Sequence, residues 1–290
     1  MSIPIDAQCL QCHFNKNVDI ARSLGDEATA LAFAKALMQS YLDTPPHYCS
    51  VLLGPATTAL LQQFYGLDPD RYRQEKIDSN NFILARMDDI RARVEKAEDP
   101  VFAALQFAIL GNYIDFSALH GQVSFEKLDE MLTNALKMEL DGDCYASLCA
   151  DMEKGSKLLY LTDNAGEIGF DRILAEQIHK RYPHLEITFC VRGGYANNDA
   201  TREDAEVVGI PFPVIDNGCA IAGTELTMLG EEAKHAMDTA DVIISKGQGN
   251  AETLLDCGYN IYYAFLVKCA RFVDRCQKPK LTPVLMKERK

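Results

Sequence analysis

The sequence predicts an α/β protein: a three-layer α/β/α sandwich on a mostly parallel, Rossmann-like sheet, with an all-helical N-terminal subdomain. Three observations carry this. From about residue 155, short apolar runs alternate with helical segments, the pattern of β-α-β units. Residues 15 to about 150 read as helices, which places the boundary between a helical part at 1–150 and an α/β part at 151–290. Finally, successive apolar runs end in polar, metal- or phosphate-suited residues, and open α/β sheets bind ligands beyond the carboxyl ends of their strands.

In the helical part, Ala30, Phe33, Ala34 and Leu37 recur at i, i+3, i+4, i+7 and define one helix face. Asp26 is placed to cap that helix. TTALLQQFY, NNFILARMDDIRARVEKAE, PVFAALQFAILGN and FEKLDEMLTNALKMEL predict further helices. Ser79-Asn80-Asn81 reads as an N-cap and Gly111-Asn112 as a C-cap. In the α/β part the strands are KLLYLTD, EITFCVR, FPVID, DVIISK and IYYAFLVK. The helices between them are EIGFDRILAEQIHKRY, DATREDAEVV, LGEEAKHAMDTA and AETLLDC. The basic tail QKPKLTPVLMKERK is expected to be a loose segment.

Composition narrows the function. Of 290 residues, 48% are hydrophobic and 24% charged, an ordinary globular balance. The net charge of −13 disfavours nucleic acid and anionic membrane as partners. An anionic substrate would therefore need a locally cationic pocket or a metal. The N-terminus lacks the charged and apolar regions of a signal peptide, and no apolar run approaches a membrane span, so a cytoplasmic location is expected. Ten scattered cysteines fit buried free thiols in a reducing compartment. The oligomeric state is left open, a homo-oligomer included.

The strand ends carry the chemistry. Asp163, Asn164 and Glu167 follow the first strand, Asn198 and Asp199 the second. Asp and Asn oxygens are hard donors suited to a divalent cation. The plainer reading is that Asp163 or Asn164 caps one helix and Asp199 the next. Their repetition at successive strand ends favours the metal. Glu167 complements the helix dipole, or orients a water or a substrate hydroxyl. Lys246, Gly247, Gly249 and Asn250 form a glycine turn in which backbone N–H groups can approach an anion, although the spacing is neither a P-loop nor G-x-G-x-x-G. Lys268 is either a surface lysine or a phosphate clamp. Cys9, Cys12 and His13 match a c-type haem attachment pattern and half of a zinc site, but no export signal and no second C-x-x-C accompany them.

Taken together, CLQC at 9–12, SNN at 79–81, GNYID at 111–115, DNAGEIGFD at 163–171, NDAT at 198–201, SKGQGN at 245–250 and LVKC at 266–269 resemble the metal-dependent damage-control phosphatases. This family was formerly a domain of unknown function and was once proposed as acidic-residue methyltransferases. The branch with an N-terminal C-x-x-C is the most similar. The resemblance covers nearly the whole chain. It implies an α/β/α sandwich with a helical subdomain and a divalent metal held at Asp163, Asn164 and Asp199. It also implies substrate or phosphate contacts at Asn112, Glu167, Lys268 and the loop bearing Lys246, Gly247, Gly249 and Asn250.

The expectation is a metal-dependent phosphatase of small phosphorylated metabolites such as sugar phosphates. Mn2+, Ni2+, Co2+ or Mg2+ would polarise the phosphoryl group for direct attack by water. Two rivals are an S-adenosylmethionine-dependent carboxyl methyltransferase, disfavoured by the single glycine in the DNAGE turn, and a metal-binding module without catalysis.

Overall fold

The computed structural model describes residues 3–115 and 123–287. The sheet has six strands: β1 (Lys157–Leu161), β2 (Glu186–Val191), β3 (Val214–Asp216), β4 (Val242–Lys246), β5 (Ile261–Leu266) and β6 (Pro283–Lys287). Their order is β3-β2-β1-β4-β5-β6. The first five run parallel, and β6 pairs with β5 antiparallel. The chain reverses its direction of travel across the sheet between β1 and β4. A crevice opens at such a switch point, and the residues following both strands face it. Asp163 follows β1, and Gly247 follows β4.

Both faces of the sheet are covered, as a parallel sheet requires. Strand periodicity sends Leu158 and Tyr160 to one side and Leu159 and Leu161 to the other. The first side packs with α5 (Met87–Glu95), α6 (Pro100–Gly111), α8 (Gly142–Lys154) and α9 (Glu167–Arg181). The second packs with α11 (Glu231–Thr239), α12 (Gln248–Leu254) and α13 (Ala270–Cys276).

The helical half does not pack as one unit. Helices α1 (Ala7–Leu24), α2 (Glu27–Leu42) and α3 (Gly54–Tyr65) share a small core built on Ala21, Ala30, Phe33, Leu37 and Leu61. The stretch from α4 (Arg73–Leu84) through α8 instead contributes Ile83, Ile90, Phe107, Leu128 and Met152 to the main core beneath the sheet. The cause lies in α6. Every residue from Val101 to Gly111 except Phe102 is buried, so this helix has no polar face to show solvent and becomes a layer of the sandwich.

Asp26 caps α2 as expected, accepting from the Thr29 N–H at 2.7 Å. Asn112 is the C-cap of α6. Ser79-Asn80-Asn81 lies inside α4 rather than at its start. The tail is a further correction: residues 283–287 form β6, which covers the edge of β5 with Val284 and Leu285 buried. Residues 288–290 lie outside the described residues. No helix among the described residues is long and apolar enough to cross a membrane.

Candidate active site

A cavity of about 440 Å3 opens at the switch point, within the range of small-molecule sites. Asp163, Asn164, Asp199, Gly249 and Lys268 line it from the sheet side. Helix α1 and the α3–α4 turn line it from the other, with Cys9, Cys12, His13, Lys16 and Arg71. A wider hollow, about 770 Å3, lies at the C-terminal end of α9 around Gln177 and Arg181. It sits roughly 20 Å from the strand ends along that helix, and no candidate residue lines it.

Backbone geometry gathers the inner wall. The loop after β2 folds back on the β1–α9 turn. Ala200 donates its N–H to the Asp163 carbonyl at 2.7 Å, and Ala165 donates to the Asn198 carbonyl at 2.9 Å. Asn164 and Asp199 face each other as an isolated antiparallel bridge. The two strand ends thus meet, as the metal reading of Asp163, Asn164 and Asp199 requires. Capping does not explain these side chains. The N-cap of α9 is Gly166 at φ 76°, and Thr201 with Asp204 forms the capping box of α10 (Arg202–Val207).

The carboxylates are heavily buried. Asp163 Oδ2 accepts from Asn112 at 2.9 Å and from Asn164 at 2.8 Å. Arg192 donates from Nε to Asp199 Oδ2 at 2.6 Å and lies 3.5 Å from Asp163 Oδ1. Burial pushes Asp163 well above the ordinary carboxylate range, and the Asp199 and Glu167 charges push it further. Burial lifts Asp199 to about 6 against the opposing pull of Arg192.

Arg192 is the residue that sequence reasoning missed. Its signal was an arginine closing the apolar run EITFCVR, a position where a surface lysine or arginine is unremarkable. Asn80 has a role beyond its motif: its amide oxygen accepts the Gly166 N–H at 2.7 Å and its amide nitrogen donates to Asp204 at 2.9 Å.

Several expected contacts fall elsewhere. Lys246 is wholly buried and does not reach the cavity. Its ammonium donates to Glu167 Oε1 at 2.7 Å, Asp171 Oδ1 at 2.6 Å and the Ala108 carbonyl at 2.8 Å. Burial works against its charge, but the two carboxylates outweigh burial and raise its pKa. A direct phosphate contact by this side chain is therefore corrected to a buried ion pair.

Glu167 faces the same pair and accepts from Asn112 and Asn164, so it orients those amides rather than a cavity water. Asn112 reaches Asp163 and Glu167 with its amide nitrogen and the Leu266 N–H with its oxygen, but stays outside the cavity wall. Asn250 is likewise turned inward. It donates to the Thr162 and Lys246 carbonyls and accepts from Arg192 at 3.0 Å.

The glycines answer to neighbours in the protein. A Cβ on Gly247, at φ 80°, would lie 2.1 Å from Asp163 Oδ2, so only glycine leaves room for that carboxylate. A Cβ on Gly249 would meet the Ala222 carbonyl oxygen at 2.0 Å. Lys268 keeps its expected place on the cavity wall, paired with Asp115 at 2.7 Å.

The donor chemistry suits a divalent cation. Four carboxylates, Asp163, Glu167, Asp171 and Asp199, are buried beside Lys246 and Arg192, and burial raises Asp163, Asp171 and Asp199 toward their neutral forms. Of these carboxylates Asp163 and Asp199 line the cavity, and the Asn164 amide lines it beside them. Among the described residues no three His, Cys, Asp or Glu side chains are grouped to hold a metal; the Asn164 amide oxygen, which accepts from Asn198 at 3.0 Å, lies beside the two carboxylates as a neutral donor. The same absence applies to Cys9 and Cys12. His13 turns away from them, sharing hydrogen bonds with Tyr41 at 2.6 Å and Thr57 at 3.5 Å.

Comparison with known proteins agrees with this architecture. The damage-control phosphatase ARMT1-like domain matches residues 5–282. A damage-control phosphatase of Pyrococcus horikoshii, PH1575, is 32% identical over 98% of both chains. A second protein named damage-control phosphatase, from Archaeoglobus fulgidus, is 31% identical over 69% of each chain. The crystal structure of the P. horikoshii protein, described as a DUF89 family member, superposes with a TM-score of 0.84 at 28% identity, covering 99% of this chain and all of that one. Similarity spanning the whole chain, joined to a sheet that brings DNAGE, NDAT and KGQGN to one crevice, makes this chain a member of the ARMT1-like damage-control phosphatase family.

Proposed function

We propose that the protein is a metal-dependent phosphomonoester hydrolase acting on small phosphorylated metabolites such as sugar phosphates. One observation carries this reading: a single cavity is lined by Asp163, Asn164 and Asp199 and, beside them, by the buried Lys268. Asp163, Asn164 and Asp199 would hold the divalent ion, with Mn2+, Ni2+, Co2+ and Mg2+ as the candidates, and Arg192 and Gly247 fix the two carboxylates. When bound, such an ion would polarise the phosphoryl oxygens and lower the barrier to attack.

The chain's own residues do the rest. Lys268 sets a positive charge on the cavity wall, where it can meet the charge that develops on the transferring group. Asn112 donates to one Asp163 oxygen and Glu167 accepts from the Asn164 amide nitrogen, which fixes both side chains at the cavity wall. Lys246 and Asp171 hold Glu167 in turn. With both wall carboxylates committed, water rather than a carboxylate side chain is the nucleophile. Helix α1 and the α3–α4 turn limit solvent access from above.

The test is phosphate release from a panel of sugar and nucleotide monophosphates, using metal-stripped protein with each ion added back. Metal-dependent release is expected, lowered at least about 100-fold by Asp163→Ala. No release with any ion, or full activity in the variant, would overturn the reading.

A further inference from the structure

One carboxylate on the cavity wall has no part in the reaction proposed above. Five lysine and arginine side chains and four carboxylates line the cavity. Of the carboxylates, Asp163 and Asp199 belong to the candidate metal site, and Asp115 pairs with Lys268 at 2.7 Å. The fourth is Glu252 on α12, only 8% exposed. Among the described residues no cation forms an ion pair with it. Arg271, whose charge reaches it, is engaged by Asp6 at 3.6 Å and by the Pro4 carbonyl at 2.6 Å.

A carboxyl buried without an ion pair costs stability unless hydrogen bonds meet it. Glu252 is half met. Ser50 Oγ donates to its Oε2, whereas Oε1 accepts no hydrogen bond among the described residues. Ser50, which opens the 3-10 turn Ser50–Leu53, lines the cavity too. Helix α12 sets the reach. Its start abuts the metal site, because Gly247 packs on Asp163. Glu252 comes five residues later, about 7.5 Å along the helix axis, a span that one small sugar bridges.

The chemistry of the position narrows the ligand. Burial raises the pKa of Glu252, with Ser50 and then Arg271 opposing. Charged or neutral, the carboxyl can accept from a hydroxyl. An apolar group there would leave it unmet. A cationic group gains little from a lining in which lysine and arginine outnumber the carboxylates. We infer that Glu252, supported by Ser50, is a specificity-determining residue that accepts from a hydroxyl on the alcohol part of the ester, selecting polyhydroxylated phosphate esters over plain alkyl phosphates. This rests on the phosphatase reading for its reaction, but not for its binding.

The test separates the two. Calorimetric titration of the protein with Mn2+ added reads binding without turnover when the ligands are phosphonates, whose carbon–phosphorus bond is not hydrolysed. One ligand is the analogue of glucose 6-phosphate with a methylene in place of the bridging oxygen, and the other is propylphosphonate, which has no hydroxyl. The sugar phosphonate should bind at least about 10-fold tighter. Glu252→Leu should abolish that preference without weakening propylphosphonate, whereas Glu252→Gln, which keeps an acceptor, should retain most of it. No binding of either ligand, equal affinities in the wild type, a preference that survives Glu252→Leu, or equal weakening of both ligands in that variant would overturn the subsite. If Glu252→Leu fails to fold, sugar phosphonates lacking one hydroxyl each carry the test on the wild type. One of them should lose about 10-fold, and no loss from any of them would overturn the subsite. If the preference holds while no phosphate ester is hydrolysed with any ion, the phosphatase reading fails and the hydroxyl subsite stands.

Discussion

At the scale of single residues, burial and charge pairing decide what each candidate does. Lys246 and Lys268 both follow apolar strands and read alike in the sequence. One is wholly buried between two carboxylates, and the other lines the cavity beside Asp115. Lys246→Met would leave Glu167 and Asp171 as uncompensated buried charges, a change that typically costs about 3–5 kcal/mol. Denaturant unfolding should show that loss, and adding Glu167→Gln and Asp171→Asn should recover part of it. Unchanged stability with lost turnover would instead return Lys246 to the role of a phosphate contact. Gly247 illustrates the same principle from the backbone side, since its missing Cβ is the space that Asp163 occupies.

At the scale of elements, the site depends on a helix that contributes nothing to the cavity wall. Asn80, inside α4, closes the Gly166 N–H at the start of α9 and ties Asp204 at the start of α10. Lys76, one turn earlier, pairs with the same Asp204 at 2.8 Å. A helix thus clamps the two turns that bear Asp163 and Asp199. Asn80→Leu should cost about 1–3 kcal/mol by orphaning a buried donor and a buried carboxylate oxygen, read from the shift in denaturant midpoint. A change confined to turnover, with stability intact, would contradict the clamp. The motif SNN was visible in the sequence, but its use was not. An asparagine in a helix pattern looks like a cap until another element supplies partners for its amide.

At the scale of the whole molecule, the cavity joins the strand ends to the N-terminal helices. Asp163, Asn164 and Asp199 at the strand ends share its lining with residues of α1 and the α3–α4 turn, inside a protein whose net charge is −13. Burial raises both Asp163 and Asp199 in the metal-free fold, and an ion bound only by the native state should stabilise it. At an ion concentration 100 times the dissociation constant the gain is about 2.7 kcal/mol. Thermal unfolding of metal-stripped protein should therefore shift upward on adding Mn2+ or Ni2+ and return with a chelator. Asp199→Ala should shrink that increment whatever it does to the baseline. An increment that survives both Asp163→Ala and Asp199→Ala would place the ion elsewhere.

The sequence by itself determined the alternation of strands and helices, the strand ends where chemistry gathers, and the three motifs that meet at the crevice. These are local properties. Hydrophobic period, glycine turns and oxygen donors after apolar runs are written in consecutive residues. It also held the family resemblance, which the match over residues 5–282 supports. The tertiary structure decided what depends on distant partners. It buried Lys246 against Glu167 and Asp171 and brought Arg192 to Asp163 as well as to nearby Asp199, put α6 under the sheet and turned the tail into β6. It also brought Lys16 and Arg71 to the cavity that Asp163 lines. A charged side chain's role is fixed by which opposite charges share its low-dielectric surroundings, and those neighbours are chosen by the packing of the whole chain.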